Sequence, residues 1–157
     1  MNDFITEEEK YIRLDEWNAD KKKLASMALK EASMALEEDS QLDFPKQRSV
    51  YYAQLGENIG YEINQCHPVL IVSKNNYNKT GTVLVAPVSS GKIRNNKHIL
   101  RCQYILYKNK YPFLAKDCVI KCDQIRCISV CRLLDKCGYV NSDDWKKISS
   151  RIKSTFF

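Results

Sequence analysis

No stretch of about eighteen consecutive apolar residues occurs in this chain of 157, which excludes a membrane-spanning helix. The first ten residues are acidic and lack an apolar centre, so no secretory leader is expected and a cytoplasmic location is. Glycine (5) and proline (4) are scarce, and neither interrupts the chain from Thr6 to Asp39. A disulfide framework is not expected, because seven cysteines is an odd number and no export signal accompanies them. Cys118, Cys122, Cys127 and Cys131 have three, four and three residues between them, unlike the two-residue knuckle of common zinc ribbons. They read better as small hydrophobes on two extended segments, and no metal is expected.

What is present begins with charge. Apolar residues at 44% and charged residues at 28% are near globular averages, which argues against a largely disordered chain. The net charge of +6 divides unevenly, with −6 in residues 1–45 and +12 in residues 46–157. A strongly basic domain behind an acidic segment suggests that the basic part meets a polyanion. The plainer alternative is a solvated helix beside an ordinary Lys-rich surface.

Thr6-Glu7-Glu8-Glu9 is a capping box, and the helix formers after it predict one helix to about Asp39. Leu14, Trp17, Leu24 and Ala28 form one stripe at helical spacing, and Ala25, Leu29, Ala32 and Leu36 form a second. Residues 1–45 therefore read as a helical extension and linker, and residues 46–157 as a separate domain. In that domain Val50 to Leu55, Pro68 to Val72, Thr82 to Val88, His98 to Tyr104 and Cys118 to Ile128 are strand candidates. With no helical crossovers between them they predict a small antiparallel barrel or sandwich. Ser142 is the expected N-cap of a closing helix with Trp145, Ile148, Ile152 and Phe156 on one face.

Chemistry is sought in the connections. Gly56 to Cys66 carries Gly60-Tyr61-Glu62 and leads into His67-Pro68, and the loop Ser89-Ser90-Gly91-Lys92-Ile93-Arg94-Asn95-Asn96-Lys97 holds three cations. Alternation along an unbroken strand would put Lys121, Asp123 and Ile125 on one face and Cys122, Gln124 and Arg126 on the other. A base, a cation and an acid around one phosphate are what RNA self-cleavage requires. On spacing alone Lys121 and Asp123 read more readily as a surface ion pair than as catalytic groups. The plainer alternatives are a structural histidine at His67, a turn closer at Ser89 and a packing residue at Tyr61.

Four ordered motifs carry a resemblance. Val50-Tyr51-Tyr52-Ala53-Gln54-Leu55 is similar to "V-Y-x-A-x-L", and Gly60-Tyr61-Glu62 with His67-Pro68-Val69-Leu70-Ile71-Val72 to "G-x-E-Q-x-G-x-R-P-V-L-I-V". Val85-Ala86-Pro87-Val88-Ser89-Ser90 resembles "V-x-P-V-T-S", and Cys118 to Arg126 with Arg132-Leu133 resembles "S-V-x-x-x-D/E-Q-I-R-T-I-D-x-x-R-L". Together they resemble the PemK/MazF (Kid-like) toxin endoribonucleases of bacterial toxin–antitoxin pairs. The resemblance implies a mainly β fold, an SH3-like antiparallel barrel with a C-terminal helix, here preceded by a long N-terminal α-helix. It implies a homodimer that cleaves single-stranded RNA, mRNA in particular, without cofactor or metal, leaving a 2′,3′-cyclic phosphate. It also implies a cognate acidic antitoxin, and no membrane partner.

The same resemblance implies Asp123 as general base, Lys121 and His67 as acid and charge stabilisers, and Ser89 on the scissile phosphate. RNA contacts are expected from Tyr61, Glu62, Ser90, Lys92, Arg94, Lys97, Gln124 and Arg126, with aromatic stacking for Tyr61 and phosphate contacts for the cations. Two positions depart from the pattern: His67 stands where the family has Arg, and Tyr61 where the Kid branch has His. Those departures keep open a weakened RNA- or partner-binding barrel, or a gyrase-type poison. Residues 1–45 lie outside the family pattern, and an acidic helix there is expected to dock on the barrel, on a dimer partner or over basic surface.

Overall fold

Thr6 opens the first helix by the expected reciprocal bonds: its hydroxyl accepts from Glu9 N at 3.2 Å, and its own N–H donates to Glu9 Oε2 at 2.8 Å. The computed structural model describes residues 5–35, 43–90 and 99–157. The helix, α1, spans Glu7–Ala35. Leu14, Trp17, Leu24 and Ala28 are half-buried along it, whereas Ala25, Leu29 and Ala32 face solvent, and Leu36 lies outside the described residues. Only the first stripe is covered.

Seven strands follow: β1 (Ser49–Gln54), β2 (Cys66–Ile71), β3 (Thr82–Ser89), β4 (Gln103–Leu106), β5 (Cys118–Lys121), β6 (Arg126–Ser129) and β7 (Leu133–Tyr139). They form one antiparallel sheet in the order β4-β5-β3-β2-β1-β7, with β6 also on β3. The mainly β architecture with a helix at each end is the one expected. β3 is its hub. One edge of β3 pairs with β2, and the other takes β6 along Thr82–Val85 and β5 along Val88 and Ser89.

Strand alternation gives two apolar clusters. Val50, Leu70, Ala86, Val88 and Ile120 join Ile148 in one, and Ala53, Val69, Ile71, Val83, Val85 and Ile128 form the other. The closing helix α2 (Ser142–Phe156) seats Ile148 in the first cluster with Trp145 and Ile152 against it, while Phe156 is exposed.

Several local expectations are corrected. Asn141, not Ser142, caps α2, accepting from Asp144 N at 2.9 Å, and Ser142 is the first helical residue. Of the strand expected over residues 98–104, His98 lies outside the described residues and the strand seen runs from Gln103 to Leu106, because pairing with Lys121 to Cys118 defines it; Gln103 N closes a turn on Leu100 O at 2.9 Å. β7 was not anticipated. Asp135, Lys136 and Gly138 look like turn residues, but β7 is an edge strand exposed along much of its length, so its pattern lacks an apolar face.

The longest correction falls between β5 and β6. Ile120 pairs with Val88 and Arg126 with Val85, so six steps of chain must match three steps of β3. The surplus forms a 3-10 turn over Cys122–Gln124 and ends the alternation assumed for Lys121 to Arg126. The turn also separates the four cysteines: Cys118 and Cys122 are buried in the first cluster, Cys127 is exposed and Cys131 half-buried.

Candidate active site

Cross-strand partners share a sheet face, which lets the register assign the candidate side chains. His67 pairs with Ala53, a member of the second cluster, and so lies on that cluster's face. The pair Val69–Pro87 carries this face to β3, where Ser89 is two residues on. The pair Ser89–Val119 carries it to β5, where Lys121 is again two residues on. His67, Ser89 and Lys121 thus lie on one face of three adjacent strands, and all three are half-buried.

Burial lowers the pKa of His67 below the ordinary imidazole value, partly offset by a hydrogen bond to the Val88 backbone. The imidazole is therefore neutral at pH 7. A neutral ring offers one N–H and one lone pair, not the permanent charge of an arginine.

Asp123 comes next, thrown outward by the 3-10 turn whose first residue, Cys122, is fully buried. Burial pushes the Cys122 thiol up to about 12, so it serves the core as a neutral hydrophobe. The Asp123 carboxylate is exposed and accepts from Gln103 Nε2 at 3.1 Å. Gln103 itself pairs with Lys121, which holds the lysine and the carboxylate around one amide side chain. The role of Gln103 had no signal in the sequence, because it depends on the β4–β5 pairing.

Gln124 and Arg126 turn toward the loop between β1 and β2. Gln124 Oε1 accepts from Ile63 N at 2.9 Å, and its Nε2 donates to Tyr61 O at 3.1 Å. Arg126 Nη2 donates to Ile63 O at 3.1 Å. Burial lowers the pKa of its guanidinium, while the nearby Glu62 carboxylate works in the opposite direction. These two side chains hold the loop that presents Tyr61 and Glu62. Tyr61 is 91% exposed. Tyr61, Glu62, Asp123, Gln124, Ile125 and Arg126 line an open groove of about 490 Å³.

The loop is internally tied by Asn58, which sequence reading passed over. Its N–H donates to Asn64 Oδ1 at 2.6 Å and its Nδ2 to Ile63 O at 2.7 Å. Two asparagines around a glycine are turn chemistry, and that signal was legible. His67 and the exposed Ser90 line a separate cleft of about 180 Å³ with Tyr52, Phe113 and Lys116, and Lys121 lines neither cavity. The candidates are thus spread along a surface, not collected in one pocket. Lys92, Arg94 and Lys97 lie outside the described residues.

Residues 46–156 match the model of the PemK-like, MazF-like toxin of type II toxin–antitoxin systems. The chain belongs to this family. It is 31% identical to an endoribonuclease MazF of Staphylococcus saprophyticus over 103 residues, covering 66% of this chain and 83% of the relative. Among solved structures it resembles MazF from Deinococcus radiodurans, with TM-score 0.59, 19% identity, and coverage of 72% of this chain and 96% of that one. It also resembles an endoribonuclease in complex with its cognate antitoxin from a mycobacterial species, with TM-score 0.54, 20% identity, and coverage of 71% and 93%. Those two likenesses concern the fold. In this PemK/MazF toxin α1 precedes the residues matched to the family.

Proposed function

We propose that this endoribonuclease toxin cuts single-stranded RNA, mRNA above all, by attack of a 2′-oxygen on the adjacent phosphorus, with no metal in the step. Asp123 takes the proton of the 2′-hydroxyl as the new P–O bond forms. The bond from phosphorus to the 5′-oxygen breaks, and Lys121 supplies the proton that oxygen needs. The neutral His67 ring, whose N–H goes to the Val88 carbonyl, turns its lone pair to a hydroxyl of the RNA, and Ser89 holds the scissile phosphate. Products are a 2′,3′-cyclic phosphate and a 5′-hydroxyl. The observation that carries this reading is the register that aligns His67, Ser89 and Lys121 on one face, with Asp123 at its border. The open groove beside Tyr61 suits an unpaired base, and the +12 of residues 46–157 suits a polyanion. A cytoplasmic homodimer neutralised by an acidic antitoxin completes the proposal.

The test is purified protein on a long single-stranded RNA with EDTA present. Cleavage to 2′,3′-cyclic ends is the expected result. Cutting that disappears only in EDTA would overturn the metal-free step, and no cutting in either buffer would leave an RNA- or partner-binding barrel. The same assay reads the histidine. Because burial holds the His67 pKa below the ordinary imidazole value, activity should stay level from about pH 7 to 8 as far as His67 is concerned. His67→Ala should lower the rate by about a hundredfold. A wild-type rate that drops as pH rises through 6.5, and no longer does so in His67→Ala, would show that the protonated ring is needed.

A further inference from the structure

The acidic helix does not lie over the groove. Among the described residues none from α1 lines it, and Tyr61 is open to solvent. Instead α1 grips the back of the loop that forms one groove wall. Lys10 Nζ reaches Glu57 Oε1 at 2.5 Å, and that carboxylate is only 4% exposed. The same ammonium donates to Asn58 O. One helical stretch further on, Trp17 lies against Gly56. Gly56 has a φ of 91°, and a Cβ there would come within 2.4 Å of the indole ring. The Arg132 guanidinium sits over that ring at 5.5 Å from its centroid while donating to Leu55 O at 3.4 Å.

These contacts join a chain that ends in the site. Asn58, held by Lys10, bonds Ile63 O; Ile63 N and O are the atoms bonded by Gln124 and Arg126; Tyr61 and Glu62 lie on the turn between. A loop held from both sides loses little further entropy when RNA binds. We propose that α1 is a built-in brace of the RNA-site loop, with Lys10 and Trp17 as positioning residues. The brace belongs to the same chain, so no second molecule is needed to set the loop. The proposal opposes the occluding lid that acidity alone suggests, since it predicts that loosening the helix weakens cleavage.

The experiment uses the full-length chain with Lys10→Met, Trp17→Ala and the conservative Trp17→Phe. Amide exchange at Asn58 and Ile63 should speed up about tenfold or more in Lys10→Met and Trp17→Ala, while Leu70 and Ile120 keep their protection. RNA cleavage by the same variants should lose about tenfold in kcat/KM, mainly through KM, because the loop binds and does not react. Trp17→Phe should restore both readouts. Unchanged exchange at Asn58 and Ile63, or faster cleavage by the loosened variants, would overturn the brace. The kinetic arm rests on the RNA-cleaving reading and the exchange arm does not. Faster exchange in Lys10→Met and Trp17→Ala, with a wild type that cuts no RNA, would therefore support the brace and sink only that reading.

Discussion

Asp123→Asn should cut RNA about a thousandfold more slowly than the wild type, with RNA affinity little changed. The amide is nearly isosteric and keeps an oxygen for Gln103 Nε2, so the turn over Cys122–Gln124 retains that tie to β4. It cannot take a proton at neutral pH. Asp123 is exposed, and substitutions at such positions usually change stability by no more than about 0.5 kcal/mol. A large loss of rate would thus report chemistry, not unfolding. Gln103→Leu is the companion variant: it leaves the carboxylate but removes its donor, and should lower the rate about tenfold by letting the carboxylate swing. Single-turnover cleavage of a labelled RNA, with binding measured in parallel, separates the two effects. Asp123→Asn cleavage close to wild type would move the base elsewhere, and equal loss of binding and rate would make Asp123 a structural residue.

What the sequence disclosed and what it hid follow from how local each feature is. The capping box at Thr6, the apolar runs of β2 and β3, and the amphipathic face of α2 are written within a few residues of one another, and all three are seen. The apolar run marked β2, but its start was expected at Pro68; pairing with β1 begins it at Cys66 and so places His67 inside the strand. Asp123 is different. Its place depends on β3 changing partners between β6 and β5, a non-local event that no alternation pattern near Lys121 records. Gln124 and Arg126 were expected to meet RNA directly. Their polar atoms also meet the backbone of Tyr61 and Ile63, which lies about sixty residues earlier in the chain, a tie that no local pattern records. The capping box marked where α1 starts, yet nothing in its stripes could tell that Trp17 would rest on a glycine of another element. Which half of an amphipathic helix is covered is decided by its partner.

Asp144→Ala should cost about 3 kcal/mol of folding stability, the largest loss expected from any single surface-to-core contact in the domain. Its side chain is 5% exposed, and burial by itself would raise the carboxyl pKa. Lys110 Nζ at 2.8 Å, Tyr111 Oη and Tyr104 Oη at 2.7 Å donate to it and reverse that tendency, leaving the pKa below the usual carboxylate value. Both phenols are correspondingly pushed up, by burial first and by this carboxylate second. A carboxyl that is more acidic folded than unfolded contributes stability that is complete above its unfolded pKa, near 4, and is lost as pH falls through its folded value. The lysine is 45% exposed, so its share is discounted for solvent, and the two tyrosine hydroxyls account for most of the expected loss. Urea denaturation at pH 7 and pH 3 measures both claims. The wild type should lose part of the margin separating it from Asp144→Ala as the pH drops, while the variant lacks that component of the decline. The effect should also reach the site, because α2 packs on the Cys122–Gln124 turn and on β4, the two elements that position Asp123 and Gln103. Tyr104→Phe and Tyr111→Phe, each removing one donor and no charge, should cost about 1–2 kcal/mol apiece. If instead both phenylalanine variants and Asp144→Ala unfold at the wild-type urea concentration, α2 is held by Ile148 and its apolar neighbours alone, and the carboxylate adds nothing.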